Sequence, residues 1–416
     1  MSSHAKTELP PPLDLSGWSK VPGILMAIGA IVSLIGLIVG PKEFGFSWLL
    51  SFMFFLTLCL GALVFVFVHH LSDAGWSVAT RRVNEHIASL LFPGMFLLFL
   101  PIGFLDKDIY RWMSLPLDAH SVAVKWPVFT VTGFWVTSVI FFAIWWLMTS
   151  RINYWSLRQD VTGDPVCAYR MRFHSGWGVV VLSLMMLAAP VFWMQAVEHR
   201  WYSAEYGVYY FASCAWLALA TIYILMVLLQ RQRVLDKVLH DHSFYFIGTL
   251  LFAFTLFQAY DEFAQYFVVW NANMPQETFW YLIRENGWWW WISMALIFGH
   301  FAVPFFVLLP IKVKMNFKIM VPLCLWAWLM TFADLAFNIL PGVDDSHGHP
   351  IKWIHWIWLQ AGCFMFMLGF LSRVFLKKFL RHPPYPQRDP RVLEAMGITH
   401  GADELPDTLP DEGGAR

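Results

Sequence analysis

The stretch from Phe252 to Thr278 reads FAFTLFQAYDEFAQYFVVWNANMPQET, an apolar and aromatic run that carries polar residues in its second half. A run of about 20 mostly apolar residues predicts a membrane-spanning helix. Two adjacent carboxylates, Asp261 and Glu262, lie within it. Because a carboxylate inside a span costs about 2.5–3.5 kcal/mol on insertion scales, it usually faces protein or water and usually has a function.

The composition of the whole chain resembles that of this stretch. Of 416 residues, 58% are hydrophobic and only 13% are charged, which excludes an ordinary soluble domain and a disordered chain. Lys plus Arg and Asp plus Glu balance at 28 each, so the charge gives no reason to expect a nucleic-acid partner. The five cysteines are scattered without a CxxC pair, and no iron–sulfur cluster is therefore predicted.

About ten apolar runs are long enough to cross a membrane, which predicts an all-α integral membrane protein. Pro93 and Pro101 predict a kink in the third run. We expect residues 1–20 to form an N-terminal segment that is not a cleaved signal peptide, 21–375 the membrane domain and 376–416 a C-terminal tail. The predicted limits of the runs are 21–40, 48–70, 86–104, 126–149, 176–194, 206–229, 244–271, 288–309, 319–340 and 354–375.

The distribution of basic residues predicts the orientation. If the N-terminus is cytoplasmic, about three-quarters of the Lys and Arg residues fall in segments on the cytoplasmic side. Both termini are therefore predicted to be cytoplasmic. The tail from about Pro383 is rich in Pro, Asp, Glu and Gly, and we expect it to be extended or docked on a partner.

The polar residues of the opening stretch fall on two neighbouring helix faces. Gln258, Asp261 and Gln265 are spaced i, i+3 and i+7, and Gln258, Glu262 and Tyr266 are spaced i, i+4 and i+8. One interpretation is a proton relay or a base that faces quinol. The other is a set of polar contacts between helices, although Ser, Thr or Asn more often supply those.

Further polar groups belong to the same candidate relay. His300 lies near the middle of its span in FGHFAVPFF, and Asp334 and Asn338 are spaced i, i+4 near the end of the ninth run. A lone histidine in mid-span also fits a helix–helix hydrogen bond. Because His300 is the one midspan histidine, paired axial ligands for a haem are not expected.

A second cluster marks the predicted inner ends of runs two and three. A proton entrance from the cytoplasm and a solvated, charge-paired helix connection both fit this cluster. His69 and Asp73 are spaced i, i+4 if the helix continues. The candidate entrance residues are His69, His70, Asp73, Glu85, His86 and His174.

Two short segments contain residue types that bind metals. They are the outer loop with Asp344, Asp345, His347 and His349, and the run from His240 to His242. Neither has a spacing that defines a coordination geometry, so solvated loops are favoured and no metal site is predicted.

Four segments carry a resemblance to a known family. HHLSDAGWSVATRRVNEHIA at 69–88, HRWYSAEYGVYYFA at 199–212, the run 248–278 that includes the opening stretch, and GHFAVPFFVLLP at 299–310 resemble the smaller polytopic membrane subunit of bacterial alternative complex III. That subunit is related to the membrane subunit of polysulfide reductase, in the NrfD-like family. The resemblance extends over about residues 45–345.

The resemblance implies a fold and a setting. It implies ten transmembrane helices, with two four-helix bundles and two peripheral helices, in the bacterial inner membrane. The complex oxidises quinol and passes electrons to a cytochrome c or a terminal oxidase. The implied partners are a paralogous membrane subunit, an iron–sulfur subunit, cytochrome c subunits, small membrane subunits and the lipid bilayer.

The resemblance implies proton transfer for this chain, with or without a quinone or menaquinone pocket. It places haems and iron–sulfur clusters on the partner subunits and the better-supported quinol site on the paralogue. Polar pocket candidates are Gln258, Tyr260, Gln265 and Asn338. Several protonatable groups of the family's pattern are missing here, whereas Asp261 and Glu262 occupy positions that are apolar in the family. The family's proton route is therefore either rewired through these two acids or lost.

Two alternatives stay open. In the first, the chain is a structural anchor whose acids pair with a neighbouring helix in a dry, closed site. In the second, it is a NrfD-like anchor of another reductase.

Overall fold

The computed structural model describes residues 20–116, 119–235, 238–239, 241–344, 350–389 and 391–392. Within these ranges the chain is an all-α membrane protein, and ten of its helices are long and apolar enough to span a membrane. We number them span 1 to span 10. They are Lys20–Val39, Pro41–Ser72, Gly75–Phe104, Val131–Thr162, Pro165–Trp193, Tyr206–Arg231, His242–Ala272, Trp288–Leu308, Phe317–Ile339 and Trp353–Phe379.

The spans form two neighbouring groups of four. Spans 2 to 5 pack together, and spans 6 to 9 pack together, with span 2 against span 6 at the centre. Spans 1 and 10 pack along each other outside span 2. Span 2 is almost wholly buried, whereas span 1 exposes most of its apolar side chains, as a helix that faces lipid does. The packing agrees with the two bundles and two peripheral helices predicted for the fold.

Several helices extend beyond the apolar runs that predicted them. Span 4 continues to Thr162 and span 5 begins at Pro165, so the helices include Arg151, Arg158, Arg170 and Arg172 that were expected in a loop. Gly163, with φ of 68°, turns the chain, and the Asp164 side chain accepts a hydrogen bond from the Val166 N–H at 2.9 Å. Apolar runs mark the part of a helix that crosses lipid, whereas caps decide where the helix ends.

Span 3 is interrupted where proline predicted a kink. A helix, Val78–Ala88, is followed by the 3₁₀ turn Ser89–Leu91, and the helix Gly94–Phe104 begins after Pro93. Phe92 between them is extended. Every residue of Val78–Ala88 is buried, including the charged ones.

Span 8 contains a π-helical segment, Leu296–Ala302, between the helices Trp288–Ala295 and Val303–Leu308. Pro304 has no N–H to donate to the carbonyl of His300, so the regular ladder cannot continue there. The helix widens in the residues before this proline, and His300 lies in the widened turn. Such π-bulges are frequent at functional sites.

Short helices fill the loops on the side opposite the chain termini. They are Asp106–Ile109, Arg111–Ser114, His120–Ala123, Gln195–Glu198 and Pro275–Arg284. We call Pro275–Arg284 the lid helix. Its Trp280 stacks on Trp201 with ring centroids 4.5 Å apart, which anchors the lid helix over the second bundle.

The described part of the chain after span 10 packs on spans 3 and 4. Gln387 donates its backbone N–H to Asp160 at 3.1 Å, and Arg388 donates to the Val161 carbonyl at 2.6 Å. We call residues 380–392, except the undescribed residue 390, the strap. The N-terminal segment 1–19 and the tail from 393 lie outside the described residues, so docking of that tail on a partner stays a prediction.

Candidate functional site: a cavity in the second bundle

A cavity of about 880 Å³ lies among spans 6 to 9 beneath the lid helix. Its wall is mostly apolar and aromatic, and we call the part formed by Tyr209, Glu262, Asp334 and Asn338 its polar end. Gln265, Arg284, Glu285 and Ser293 also line the wall. Volumes of this size are typical of small-molecule sites. The wall includes Leu256, Tyr260, Phe263, Gln265, Tyr266, Trp270, Trp280, Tyr281, Trp290, Met294, Ile297, Phe301 and Phe337.

Asp334 of span 9 anchors the polar end of the cavity. The Tyr209 hydroxyl of span 6 donates a short hydrogen bond to its carboxylate. Asn338, one turn after Asp334, donates to the Tyr209 oxygen at 2.8 Å and to the Asp334 carbonyl at 2.9 Å. Asp334 is buried, and this network joins spans 6 and 9 at the depth where the cavity ends.

Gln258 of span 7 links the remaining polar groups. Its amide nitrogen lies 3.0 Å from the Ser213 hydroxyl, 3.1 Å from the Glu262 carboxylate and 3.5 Å from the Asp334 carboxylate. Gln258 is buried, and its amide oxygen has no hydrogen-bond partner among the described residues. The amide therefore holds two carboxylates from different spans close together.

His300 of span 8 completes the cluster. Its Nδ1 lies 3.8 Å from the Glu262 carboxylate, and its ring contacts the Trp216 ring at 4.2 Å between centroids. One side-chain ligand atom each from Glu262, His300 and Asp334 lies within 4.8 Å of the other two. We call these three residues the acid–histidine cluster. The structure thus brings three residues of the candidate relay close together.

The lid helix is tied down by a buried arginine. Arg284 donates to the carbonyls of Phe337 at 2.8 Å and Asn338 at 2.9 Å, near the C-terminal end of span 9. It also donates to the Trp280 carbonyl at 2.8 Å and lies over the Trp280 ring at 3.4 Å. Burial lowers the pKa of Arg284 to about 9, so the group stays cationic at neutral pH. A cation there also suits the negative end of the span 9 helix dipole.

The two adjacent carboxylates of span 7 have different surroundings. Glu262 faces the cavity and its side chain is about one-third exposed. Asp261 is buried away from the acid–histidine cluster, and its Oδ2 has no hydrogen-bond partner among the described residues. Of the predicted relay residues, Asp261 is thus the one that the structure does not bring to the cluster. Both Tyr260 and Gln265 line the cavity wall.

The predicted inner cluster is charge-paired, as expected, but it is buried rather than solvated. Glu85 accepts hydrogen bonds from Arg81 at 2.8 Å and Arg82 at 3.1 Å, and Ser156 of span 4 donates to it at 2.7 Å. Arg81 also binds Asp389 of the strap. The composition of this segment gave no sign that the fold would cover it.

The i, i+4 spacing of His69 and Asp73 does not place them on one helix, because span 2 ends at Ser72. Asp73 adopts a left-handed conformation as the C-cap and binds Arg172 and Arg391. The His69 Nδ1 instead lies 2.7 Å from the Ser77 hydroxyl.

The other candidate entrance histidines make separate contacts. The ring of His70 lies 4.9 Å from that of His69, and His86 stacks on His382 of the strap at 5.7 Å between centroids. His174 is partly exposed on span 5 and accepts a hydrogen bond from Trp177 at 3.2 Å. None of these described histidines belongs to the cavity. The two segments with metal-binding residue types are described only in part. Residues 240 and 345–349 and the side chain of Asp241 lie outside the described residues.

The sequence did not single out several residues of this site. Tyr209 lies in an aromatic run where nothing separates it from its neighbours, and Ser213 has no pattern that points inward. Arg284 carries a weak signal, since it is a lone cation in the aromatic loop between spans 7 and 8. These residues become recognisable only when the helices are packed.

Fold and site together define, within the described residues, a polytopic all-α membrane protein with a mostly apolar cavity that carries two carboxylates in one of its two helix bundles. No protein-family model matches the chain, and no curated protein matches it. The resemblance to the alternative complex III subunit therefore stays a prediction.

Proposed function

We propose that this chain is a membrane subunit of a quinol-oxidising respiratory complex of the alternative complex III type, and that its cavity binds the quinone ring. The observation that carries the proposal is the position of Glu262 and Asp334 in the wall of a cavity that is mostly apolar and aromatic. A hydroxylated aromatic ring with an isoprenoid tail matches such a site, because few polar groups are needed to orient it.

The shape of the cavity supports a lipid-soluble ligand. Tyr260, Phe263 and Ile297 line it and are each more than half exposed on the outside of the bundle. In a membrane these side chains face lipid. A quinol enters between spans 7 and 8 and leaves its tail among the lipids, while the ring reaches the polar end.

The polar end supplies proton acceptors. Oxidation of a quinol to a quinone releases two protons and two electrons. Glu262 is the first acceptor because its carboxylate faces the cavity, and His300 lies 3.8 Å behind it. Asp334 receives a proton through the Tyr209 hydroxyl, which already bonds to it. The electrons pass to an iron–sulfur cluster or haem carried by a partner subunit.

The lid helix supports the same chemistry by excluding water from the ring. Trp280 and Tyr281 cover the cavity, and Arg284 fixes their helix to span 9. A dry site strengthens each hydrogen bond to the bound ring.

Both anchor alternatives stay untested. A purely structural anchor expects both carboxylates of span 7 to be paired in a closed site. Glu262 instead faces an open cavity, and Asp261 has an oxygen without a hydrogen-bond partner among the described residues. These two observations support a functional cavity.

The proposal is tested on the intact purified complex. We would replace Glu262 with Gln and Asp334 with Asn, and measure quinol oxidation together with proton release in proteoliposomes. We expect turnover to fall about 10²- to 10⁴-fold in each variant, because a positioned proton acceptor typically contributes a factor of that size to the rate. Asp108→Asn is the matched control, because Asp108 is an exposed carboxylate in an outer loop.

Turnover that survives in Glu262→Gln and Asp334→Asn with assembly intact would contradict the quinone site. If turnover survived while proton release fell, the chain would be a proton conduit alone. If neither quantity changed, the anchor interpretation would be supported.

A further inference from the structure

We infer that Glu262, His300 and Asp334 form a binding site for one divalent transition-metal ion of the Zn²⁺ type at the polar end of the cavity. The three ligand atoms already lie within 4.8 Å of one another. Ligands bound at about 2.0–2.2 Å to one ion lie about 3.3–3.6 Å apart in a tetrahedron, so small side-chain rotations close the site.

The three ligands come from three different spans. Glu262 belongs to span 7, His300 to span 8 and Asp334 to span 9, so the packing of the bundle defines the site. His300 and Asp334 are buried and cannot move far. Glu262 is partly exposed to the cavity and supplies the adaptable ligand.

The charges at the site match a divalent cation. Two carboxylates carry two negative charges, and imidazole binds metals in its neutral form. The assembled site would have no net charge, which reduces the cost of burying ions in the bundle. No other described cation contacts the acid–histidine cluster, because the nearby Arg284 donates to three backbone carbonyls.

Gln258 gives a second, independent observation. This buried side chain lies against Glu262 and Asp334, and its amide oxygen has no hydrogen-bond partner among the described residues. Half a turn of the amide exchanges its nitrogen and oxygen, which have nearly the same shape. The oxygen would then face the same space as the carboxylates and serve as a neutral donor to the ion.

The donor set decides the class of ion. An imidazole nitrogen with two carboxylates suits Zn²⁺, Mn²⁺ or Fe²⁺, whereas Mg²⁺ and Ca²⁺ prefer oxygen ligands alone. With the Gln258 oxygen as a fourth donor, the protein groups would complete the four-coordinate tetrahedral geometry that Zn²⁺ prefers. We therefore use Zn²⁺ alone as the probe.

One consequence rests on the proposed function. An ion on Glu262 and Asp334 would occupy both proton acceptors, so Zn²⁺ would inhibit quinol oxidation. Metal binding itself does not depend on that function and has its own measurement.

The test uses the full chain in its purified complex after treatment with a chelator. Zinc is added and unbound ion removed, and the metal content is measured by mass spectrometry. We expect the wild type to hold one zinc equivalent more than Glu262→Gln or His300→Gln, and zinc affinity to fall at least about 10-fold in each variant. His355→Gln should keep the full content, because His355 is an exposed outer histidine.

X-ray absorption at the zinc edge provides a second measurement that needs no variant. The expected spectrum of the wild type shows nitrogen and oxygen ligands at about 2.0–2.2 Å with one imidazole. Equal zinc content in wild type, Glu262→Gln and His300→Gln would overturn the site. A bound zinc that left quinol oxidation unchanged would support the metal site and count against the proposed function instead.

Discussion

The Tyr209 hydroxyl in span 6 donates a hydrogen bond to the Asp334 carboxylate in span 9, across the polar end of the cavity. Asn338 donates to the same hydroxyl at 2.8 Å. Spans 6 and 9 are the first and last spans of the second bundle. The bond between them therefore stabilises the packing of the bundle and fixes the position of Asp334, a candidate proton acceptor.

Replacement of Tyr209 with Phe tests this bond. Removing the hydroxyl donor leaves the buried Asp334 carboxyl with one hydrogen-bond partner fewer. This loss lowers the free energy of unfolding by about 1–3 kcal/mol. We expect the thermal midpoint of the complex to fall by a few degrees and quinol oxidation to slow about tenfold. Tyr210→Phe is the control, because Tyr210 is equally buried but faces Thr57 and Cys214. Equal effects of the two substitutions would show that Tyr209 has no special role.

The difference between the two carboxylates of span 7 gives a second prediction. Glu262→Gln removes a proton acceptor that faces the cavity, so quinol oxidation should fall about 10²- to 10⁴-fold. Asp261→Asn changes a carboxylate outside the cavity, and its effect on turnover should be less than about threefold. Steady-state quinol oxidation with both purified complexes measures the ratio. A larger loss in Asp261→Asn would reverse the assignment.

The hydrogen bonds by which Arg284 holds the lid helix to span 9 lead to a third prediction. Arg284→Met removes hydrogen bonds to Phe337, Asn338 and Trp280 and leaves buried carbonyls without a donor. We expect backbone amides of residues 276–284 to exchange at least about tenfold faster and the KM for quinol to rise. Hydrogen exchange with mass spectrometry reports the first change. Lys107→Gln serves as the control, because Lys107 is exposed in the loop between spans 3 and 4. Unchanged hydrogen exchange in residues 276–284 would contradict the role of Arg284 in holding the lid helix.

The strap carries a buried carboxylate whose contribution depends on pH. Burial of Asp389 opposes its ionisation, but His69 and Arg81 beside it outweigh burial and hold the pKa of that carboxyl below its ordinary value. A lowered pKa in the folded state stabilises the protein above the unfolded pKa of about 3.9, and this stabilisation is lost as the pH falls further. Its contribution should therefore be constant between about pH 6 and 8.

Asp389→Asn tests the strap directly. The substitution removes one carboxylate partner of the buried Arg81. Breaking a buried ion pair in this way lowers the free energy of unfolding by about 3–5 kcal/mol. We expect a lower thermal midpoint by the same amount at about pH 6 and pH 8, measured on the complex in detergent. Asp108→Asn should leave the midpoint unchanged. A loss that shrank toward pH 6 would contradict the ionised state of Asp389, because protonation would remove the same ion pair from the wild type.

Much of the fold follows from the sequence, because the membrane demands about 20 apolar residues for each crossing. That rule predicted ten spans, and Pro93 predicted the break in span 3. The helix ends were less accurate at Thr162 and Pro165, since hydrogen-bonded caps, rather than apolarity, decide them. The burial of Arg81 and Glu85 was missed because a charge partner on a distant strap cannot be seen in local sequence.

The site was predictable only in part. Acids, a histidine and an amide inside apolar runs pointed to Glu262, His300 and Asp334, because such groups are costly in lipid. The rotation of span 7 separates Glu262 from Asp261, and adjacent residues give no sign of that rotation until the helix is packed. Tyr209 and Arg284 act through partners on other elements, so their own neighbours in sequence reveal nothing of their role.

The central claim is that quinone binds in this chain, between spans 7 and 8. The most direct measurement is photolabelling of the intact complex with an azidoquinone, followed by mass spectrometry of the labelled peptides. The account predicts label in residues 256–263 and 294–301 of this chain, with less label when excess quinone competes. Label confined to other subunits, with none in these two segments, would contradict it.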